Sequence, residues 1–177
     1  MKFPEDEFIS EQISKSCLPS AEAIKQINLM FLMNAKKALK TASGERPIYN
    51  LYDKSFHQMK NYILRLPAEN VSYIEKIMSN FPEKSSIYDQ CAYYMRAFSR
   101  AQIFLDANHR TGFFSLANIL KKMGIFIAAD AMEITALFEY IKGQGWIEQG
   151  EMIVNLKQKD EELNFLSRWF RMRLKLG

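Results

Sequence analysis

A short polar segment between two strongly amphipathic helices constrains this chain more than any other sequence feature. Before it, residues spaced i, i+4, i+7 and i+11 form one face of a helix: Ile87, Cys91, Tyr94 and Phe98. After it, a second helical face has the spacing i, i+3, i+4 and i+7: Phe113, Leu116, Ala117 and Leu120. The polar residues run from Asp106 to Arg110, and Gly124 is a natural C-terminal stop. The pattern predicts a central helix–loop–helix unit.

Other amphipathic helices account for most of the remaining chain. Ser20 is predicted to cap one helix and Asp53 another, the second carrying Phe56, Met59 and Ile63. Pro67 breaks the chain, and the next helix carries Val71, Ile74 and Met78 and ends at Pro82. Asp130 with Glu133 predicts a capping box, and the last helix starts at about Asp160. With only 7 Gly and 5 Pro, the chain is predicted to be an all-α helical bundle.

The chain length of 177 residues fits one domain. We expect a single domain over 1–177, with a core at about 20–145 and a C-terminal helix, 160–175, that packs on it. The segment Thr41 to Tyr52 contains Gly44 and Pro47 and is predicted to be a loop, with room for one short β-hairpin flap. Met152 to Leu156 is ambiguous between a short strand and a helix start.

Charge and targeting features predict a cytoplasmic protein without a membrane span. Met1 to Ser10 lacks an apolar signal core, and the apolar stretch Ile27 to Met33 is too short to cross a bilayer. Cys91 is predicted to be a buried thiol. The net charge of +4 suits phosphates or an acidic partner. Two basic clusters fit solvated helix faces better than a nucleic-acid surface: Lys36, Lys37 and Lys40, and Arg168, Arg171, Arg173 and Lys175.

The polar segment has the chemistry of a phosphate site. A helix N-terminus offers unpaired N–H groups and partial positive charge, and Arg110 adds a forked cation in the first turn. Asn108 can donate to a phosphate, and Asp106 is a hard oxygen ligand of the type that binds Mg²⁺. Phe104 would anchor the loop in the core. On Asp106, Asn108 and Arg110 alone, a helix cap and a solvated charge are the simpler interpretation.

The stretch from Gln102 to Gly112 resembles the signature of the Fic/Doc family, His-x-Phe-x-[Asp/Glu]-[Gly/Ala]-Asn-[Gly/Lys]-Arg-Thr-[Gly/Ala]. Seven positions match: Phe104, Asp106, Ala107, Asn108, Arg110, Thr111 and Gly112. Weaker similarity in the order and length of the helices extends from about Ser20 to the last helix. The resemblance implies a Fic/Doc-like helical bundle around the helix–loop–helix unit.

The resemblance also implies a function. Family members bind ATP or a related nucleotide on this loop, and most transfer AMP to a hydroxyl of a target protein, whereas the Doc branch transfers a phosphoryl group. It implies that Asp106 holds Mg²⁺, that Asn108 contacts a phosphate and that Arg110 contacts the terminal phosphates. The other nucleotide-binding positions would be Ala107, His109, Thr111 and Gly112. A target protein and an antitoxin are the implied protein partners.

Three departures from the signature limit that inference. Gln102 stands at the catalytic histidine, and a glutamine amide cannot accept a proton near neutral pH. Phe113 stands where Fic-type members often carry a second arginine, which resembles the Doc branch. His109 fills a slot usually held by Gly or Lys, and an exposed loop histidine is its favoured interpretation; His57 is interpreted as surface decoration. At Ala107, a left-handed backbone would cost about 1–2 kcal/mol more than with Gly.

Many family members are silenced by a helix with the pattern [Ser/Thr]-x-x-x-Glu-[Gly/Asn]. Thr41 to Arg46, Ser79 to Lys84 and Thr135 to Tyr140 match only its first part, so no built-in inhibitor is predicted. The sequence therefore predicts a nucleotide-binding protein whose catalysis is impaired at Gln102. The alternative is an active transferase of AMP or phosphate from ATP to a protein hydroxyl, in which another group activates the hydroxyl or the target is intrinsically reactive.

Overall fold

The computed structural model describes the backbone of residues 9–42, 49–105, 107–145 and 158–177, and their side chains except within 35–42 and 49–56. In these residues the chain forms a 3-10 helix, Lys15–Cys17, and two short strands, β1 (Ile125–Ile127) and β2 (Leu174–Leu176). The α-helices are α1 (Ala21–Ala42), α2 (Tyr49–Leu64), α3 (Ala68–Ser79), α4 (Ile87–Arg100), α5 (Asn108–Lys122), α6 (Ala131–Gly143) and α7 (Glu161–Arg173). The all-α class predicted from the sequence is confirmed.

Helix α4 lies at the centre of the core, packed mainly against α7 and α5. Nearly its whole length is buried, including Cys91, whose buried free thiol confirms the prediction. A helix that is covered on all sides belongs to the interior of a domain. Tyr94 and Ser115 join α4 to α5 through hydroxyl groups 2.6 Å apart. Helix α5, which carries the motif, therefore packs on the core through the face that points away from solvent.

Side-chain caps begin several helices where the sequence predicted them. Ser20 Oγ accepts from the Ala23 amide at 3.2 Å, which starts α1. Asp130 and Glu133 form the predicted capping box of α6, each carboxylate accepting from the other residue's amide. Gly124, with φ +73°, follows α5 as its predicted stop. Local chemistry therefore sets the starts of α1 and α6 and the end of α5.

The prediction for the segment between α1 and α2 was partly wrong. Helix α2 already begins at Tyr49, so Asp53 lies inside it and is not its N-cap. Helix α1 continues to Ala42, so both ends of the predicted loop, Thr41 to Tyr52, are helical. Residues 43–48, where a β-hairpin flap was allowed for, lie outside the described residues, as does Met152 to Leu156.

The two strands were not predicted. They pair antiparallel, with Ile125 opposite Leu176 and Ile127 opposite Leu174. Each strand has three residues, too few for a period-two pattern to show in the sequence. The pairing fixes the end of α7 beside the end of α5. Within the described residues, no helix has the length and apolar character needed to cross a membrane.

A buried ion-pair cluster joins α4 to α7. Arg96, only 3% exposed, contacts Asp160 and has its Nε 2.9 Å from Glu162 Oε2. Arg100 also contacts Glu162 and donates to the Gln144 and Gly145 carbonyls beyond α6. Glu162 is itself 5% exposed. These arginines are paired by carboxylates and carbonyls, and they hold three helices together.

Candidate functional site

The polar segment between α4 and α5 lies along an open cleft of about 480 Å³, whose opposite wall is α6. Cleft volumes of this size are typical of small-molecule sites. Its described lining comes from the motif segment and from one face of α6: Gln102, Leu105, Ala107, Asn108, His109 and Arg110, with Thr135, Phe138, Glu139 and Lys142. The structure thus brings five of the sequence-predicted site residues together and adds four residues from a helix 25 or more positions away in sequence.

Gln102 has an exposed side chain in this cleft. It follows the C-cap of α4, Ala101, and its backbone is left-handed, with φ +47°. Left-handed residues other than Gly are uncommon, and histidine is among the types enriched there. The backbone at 102 therefore suits the family's histidine at least as well as the glutamine that is present.

Ala107 is the N-cap of α5 and is also left-handed, at φ +62° and ψ +23°. This is the conformation for which the sequence analysis estimated a cost of about 1–2 kcal/mol relative to Gly. Its carbonyl accepts the first helical bond, from the Thr111 amide at 2.8 Å, and no side chain caps the helix at this residue. Ala107 and the first-turn residues Asn108, His109 and Arg110 line the cleft, so the N-terminus of α5 lies at it.

Asn108 braces the loop. Its side-chain Nδ2 donates to the Phe104 carbonyl at 2.8 Å, and its Oδ1 accepts from the Phe104 amide at 2.9 Å. Phe104 is buried, which confirms that it anchors the loop in the core. One hydrogen of Nδ2 and the backbone amide of Asn108 remain the groups that a phosphate would use, so the phosphate contact stays a prediction.

Thr111 and Gly112 face the helical core and are not part of the described cleft lining. Thr111 is fully buried, and its hydroxyl accepts from Asn28 Nδ2 of α1 at 2.9 Å. A Cβ on Gly112 would lie 2.8 Å from Cβ of Phe98, so only glycine permits this approach of α5 to α4. Their motif identity is explained by helix packing, and a direct phosphate contact of either remains untested.

Arg110 projects from the first turn of α5 with an exposed side chain. Its guanidinium carbon lies 5.7 Å from the centre of the Phe31 ring of α1, which is within cation–π range. The guanidinium therefore belongs to an exposed side chain that lines the cleft, where a phosphate contact would need it.

His109 is not the exposed loop histidine that the sequence favoured. It lies in the first turn of α5, half-buried, with its ring centre 5.6 Å from that of Phe138. Burial lowers the pKa of His109 below its usual range; Glu139 opposes this change and Lys142 adds to it. Its buried Nε2 makes no hydrogen bond within the described residues. His57, by contrast, is exposed on α2, as expected.

Phe113 occupies the position of the frequent second arginine and packs against α6. Its ring meets Phe138 edge-on, with centres 5.7 Å apart. Together with His109 it attaches the middle of α6 to the start of α5. Aromatic packing between Phe113 and Phe138 therefore occupies the place where the family signature often has a positively charged arginine.

The magnesium prediction depends on Asp106, which lies outside the described residues. Among the residues that the structure describes, no group of three metal-binding side chains is present, and Glu139 is the carboxylate on the cleft. Mg²⁺ that accompanies a nucleotide needs only one or two protein carboxylates, with phosphates and waters completing its shell. The role of Asp106 therefore remains a prediction.

Sequence reasoning missed the contribution of α6 to the cleft. Thr135 and Glu139 line it, and they belong to the partial match Thr135 to Tyr140, which was set aside because Tyr140 replaces Gly or Asn. That partial match was the available signal. Ser79 to Lys84 does not line the cleft in its described part, and Thr41 to Arg46 lies partly outside the described residues.

The comparisons with known proteins agree with this architecture. The sequence model of the Fic/DOC family matches residues 19–120, which is more than half of the chain and includes α1 to α5 with the motif loop. Searches among curated proteins and among solved structures gave no match. The family match covers α4, the motif loop and most of α5, and the chain therefore belongs to the Fic/DOC family.

Proposed function

We propose that this protein binds a nucleotide triphosphate, ATP or a relative, in the motif cleft and is impaired in transferring AMP or phosphate from it. The start of α5 supports the first half of this proposal. Its leading amides and the exposed guanidinium of Arg110 meet on one side of a cleft of about 480 Å³. Oriented amides at a helix N-terminus stabilise phosphate charge, and an arginine fork adds directional hydrogen bonds.

The position of Gln102 carries the second half. Its exposed side chain lines the same cleft, at the position where the family has its base, and it is an amide. An amide can hold a hydroxyl by hydrogen bonding but cannot take its proton. Loss of a general base typically lowers the rate by about 10²–10⁴-fold. Mg²⁺, held in part by Asp106, would supply charge stabilisation at the phosphates when bound.

The decisive experiment is Gln102→His. Wild type and variant are compared for ATP binding by calorimetry, with and without Mg²⁺, and for transfer of label from ATP onto the protein itself, read by mass spectrometry. We expect similar binding and a rise in self-modification of at least about 10²-fold, the lower end of a general-base effect. The left-handed backbone at 102 accepts histidine, so the variant should fold.

Gln144→His is the matched control, because Gln144 is also exposed but lies outside the described lining of the motif cleft. It should leave transfer unchanged. If wild type binds no ATP, the nucleotide-binding proposal is wrong. If it binds ATP but Gln102→His gains no activity, the impairment does not reside at position 102.

An active transferase is the alternative, favoured by one observation. His109 and Glu139 are proton acceptors on the described cleft walls, and the lowered pKa keeps His109 neutral at pH 7. Wild-type transfer of AMP or phosphate to a protein hydroxyl at rates typical of active enzymes would establish this alternative. The packing of Phe113 in place of a second arginine supports Doc-like phosphoryl transfer over AMP transfer for the remaining activity.

A further inference from the structure

Cationic groups stand on both walls of the motif cleft. Arg110 and the first amides of α5 are on the motif wall, and Lys142 is on the α6 wall. The chain lacks a second motif arginine, since Phe113 occupies that position and packs against Phe138. A polyphosphate carries several negative charges, and one arginine on one wall leaves its other side without a cation. The opposite wall therefore determines how much of that charge is compensated.

Aromatic packing holds that wall in place. Phe138 contacts both His109 and Phe113 of α5, so α6 is attached to the motif helix at its centre. Lys142 follows Phe138 by four residues, which places it on the same face one turn further along. Lys142 and Glu139 both line the cleft beside His109, close enough for their charges to act on the pKa of that side chain. Lys142 thus lies near the first turn of α5.

The ammonium group of Lys142 is accessible to a ligand. Within the described residues, Lys142 Nζ lies 3.8 Å from Glu139 Oε1, and both side chains are 66% exposed. An exposed pair at this distance contributes about 0–1 kcal/mol, so an anion can replace the carboxylate at little cost. This differs from Arg100, whose guanidinium is held by Glu162 and two carbonyls.

We propose that Lys142 is a phosphate-binding residue of the motif cleft, contacting the polyphosphate from the α6 side while Arg110 and the α5 amides contact it from the motif side. This inference rests on the proposed nucleotide-binding function. It gives α6 a role in recognition, with Lys142 compensating the charge that Phe113 does not supply. Glu139 opposes binding, since its carboxylate repels phosphate and attracts Lys142.

The test uses inorganic tripolyphosphate as the probe, because it isolates phosphate recognition from the base and the sugar. Calorimetry compares wild type with Lys142→Gln, Lys142→Arg and Glu139→Gln at low salt. We expect Lys142→Gln to weaken binding by about tenfold, as for loss of one hydrogen bond to a charged group, and Lys142→Arg to retain most of the affinity. Glu139→Gln should tighten binding. The difference between wild type and Lys142→Gln should shrink as salt rises.

Lys122→Gln is the matched control, because Lys122 is also exposed, lies at the far end of α5, and its substitution removes the same unit of charge. It should bind like wild type. Equal affinities of wild type and Lys142→Gln, or an equal loss in Lys122→Gln, would overturn the inference. If wild type binds and Arg110→Gln weakens it while Lys142→Gln does not, only the role of Lys142 fails. If wild type binds neither tripolyphosphate nor ATP, the proposed function fails as well.

Discussion

Two groups of cationic side chains in this protein differ in their burial and in their surroundings. Arg96 and Arg100, near the end of α4, are largely buried and paired with Glu162 and Asp160. Arg110 and Lys142, across the motif cleft, are exposed. The first group joins α4 to α7, and the second faces a space large enough for a ligand. Positively charged side chains therefore stabilise the fold in the first group and line a candidate ligand site in the second.

The difference follows from the free energy of removing charge from water. A buried arginine is tolerated only with excellent compensation, and removing its partner leaves an unpaired charge in the interior. An exposed arginine or lysine keeps most of its hydration, so its neighbours change stability little. Burial therefore distinguishes structural cations from candidate ligand-binding cations among the described residues, and the following experiments test that distinction.

The largest effect is expected at Glu162. Glu162→Gln keeps the shape of the side chain but removes the negative charge between Arg96 and Arg100, and it should lower the free energy of unfolding by about 3–5 kcal/mol. Urea denaturation followed by circular dichroism measures this. Glu139→Gln, the exposed counterpart on the cleft, should change stability by less than about 0.5 kcal/mol. Equal losses in the two variants would contradict the comparison.

An intermediate effect is expected at Gly112, where α5 packs against α4. Gly112→Ala forces α5 away from Phe98, because the added Cβ would lie 2.8 Å from Cβ of Phe98. Overpacking of this kind costs about 1–3 kcal/mol. Since α5 carries both Arg110 and the first-turn amides, tripolyphosphate affinity should fall together with stability. Gly143→Ala, which has open space around it, should be neutral or stabilising in the same thermal and binding measurements.

The smallest effect concerns His109 and pH. Its folded-state pKa is lowered by burial, so the unfolded chain takes up a proton near pH 6.5 while the folded protein resists it. The stability that neutral His109 contributes is thus present above about pH 6.5 and is lost as the pH falls toward the folded-state pKa. We expect His109→Gln to flatten the decline in stability between pH 7 and pH 5, measured by denaturation at each pH. An unaltered slope in His109→Gln would refute the assignment.

The helices could be predicted from the sequence because their signals are local. Ser20, Asp130 and Asp160 begin helices by accepting backbone hydrogen bonds within three residues, and Gly124 ends one through its own φ. The prediction that Asp53 is an N-cap was wrong, because an aspartate inside a helix gives the same sequence signal as one at the start of a helix. The two strands were missed for another reason. Ile125 pairs with Leu176, some 50 residues away, and no local sequence pattern indicates that contact.

The candidate site was predictable to the extent that it is contiguous. The motif pattern located Gln102, Ala107 and Arg110, all of which line the cleft. It could not separate residues facing the cleft from those facing the core, which is why Thr111 was grouped with them although it bonds to Asn28. The α6 wall was missed because its approach to α5 depends on the contacts of Phe138 with His109 and Phe113, which are tertiary contacts.

The left-handed backbone at Gln102 has a practical consequence. Because that geometry and the burial of the neighbouring Ala101 and Ile103 set where the residue emerges, its side chain can be exchanged without relocating the attachment point. A photoreactive amino acid introduced there would be delivered to the cleft mouth. Covalent crosslinking from that single position would then identify a macromolecule that binds at the cleft, whether or not AMP or phosphate is transferred to it.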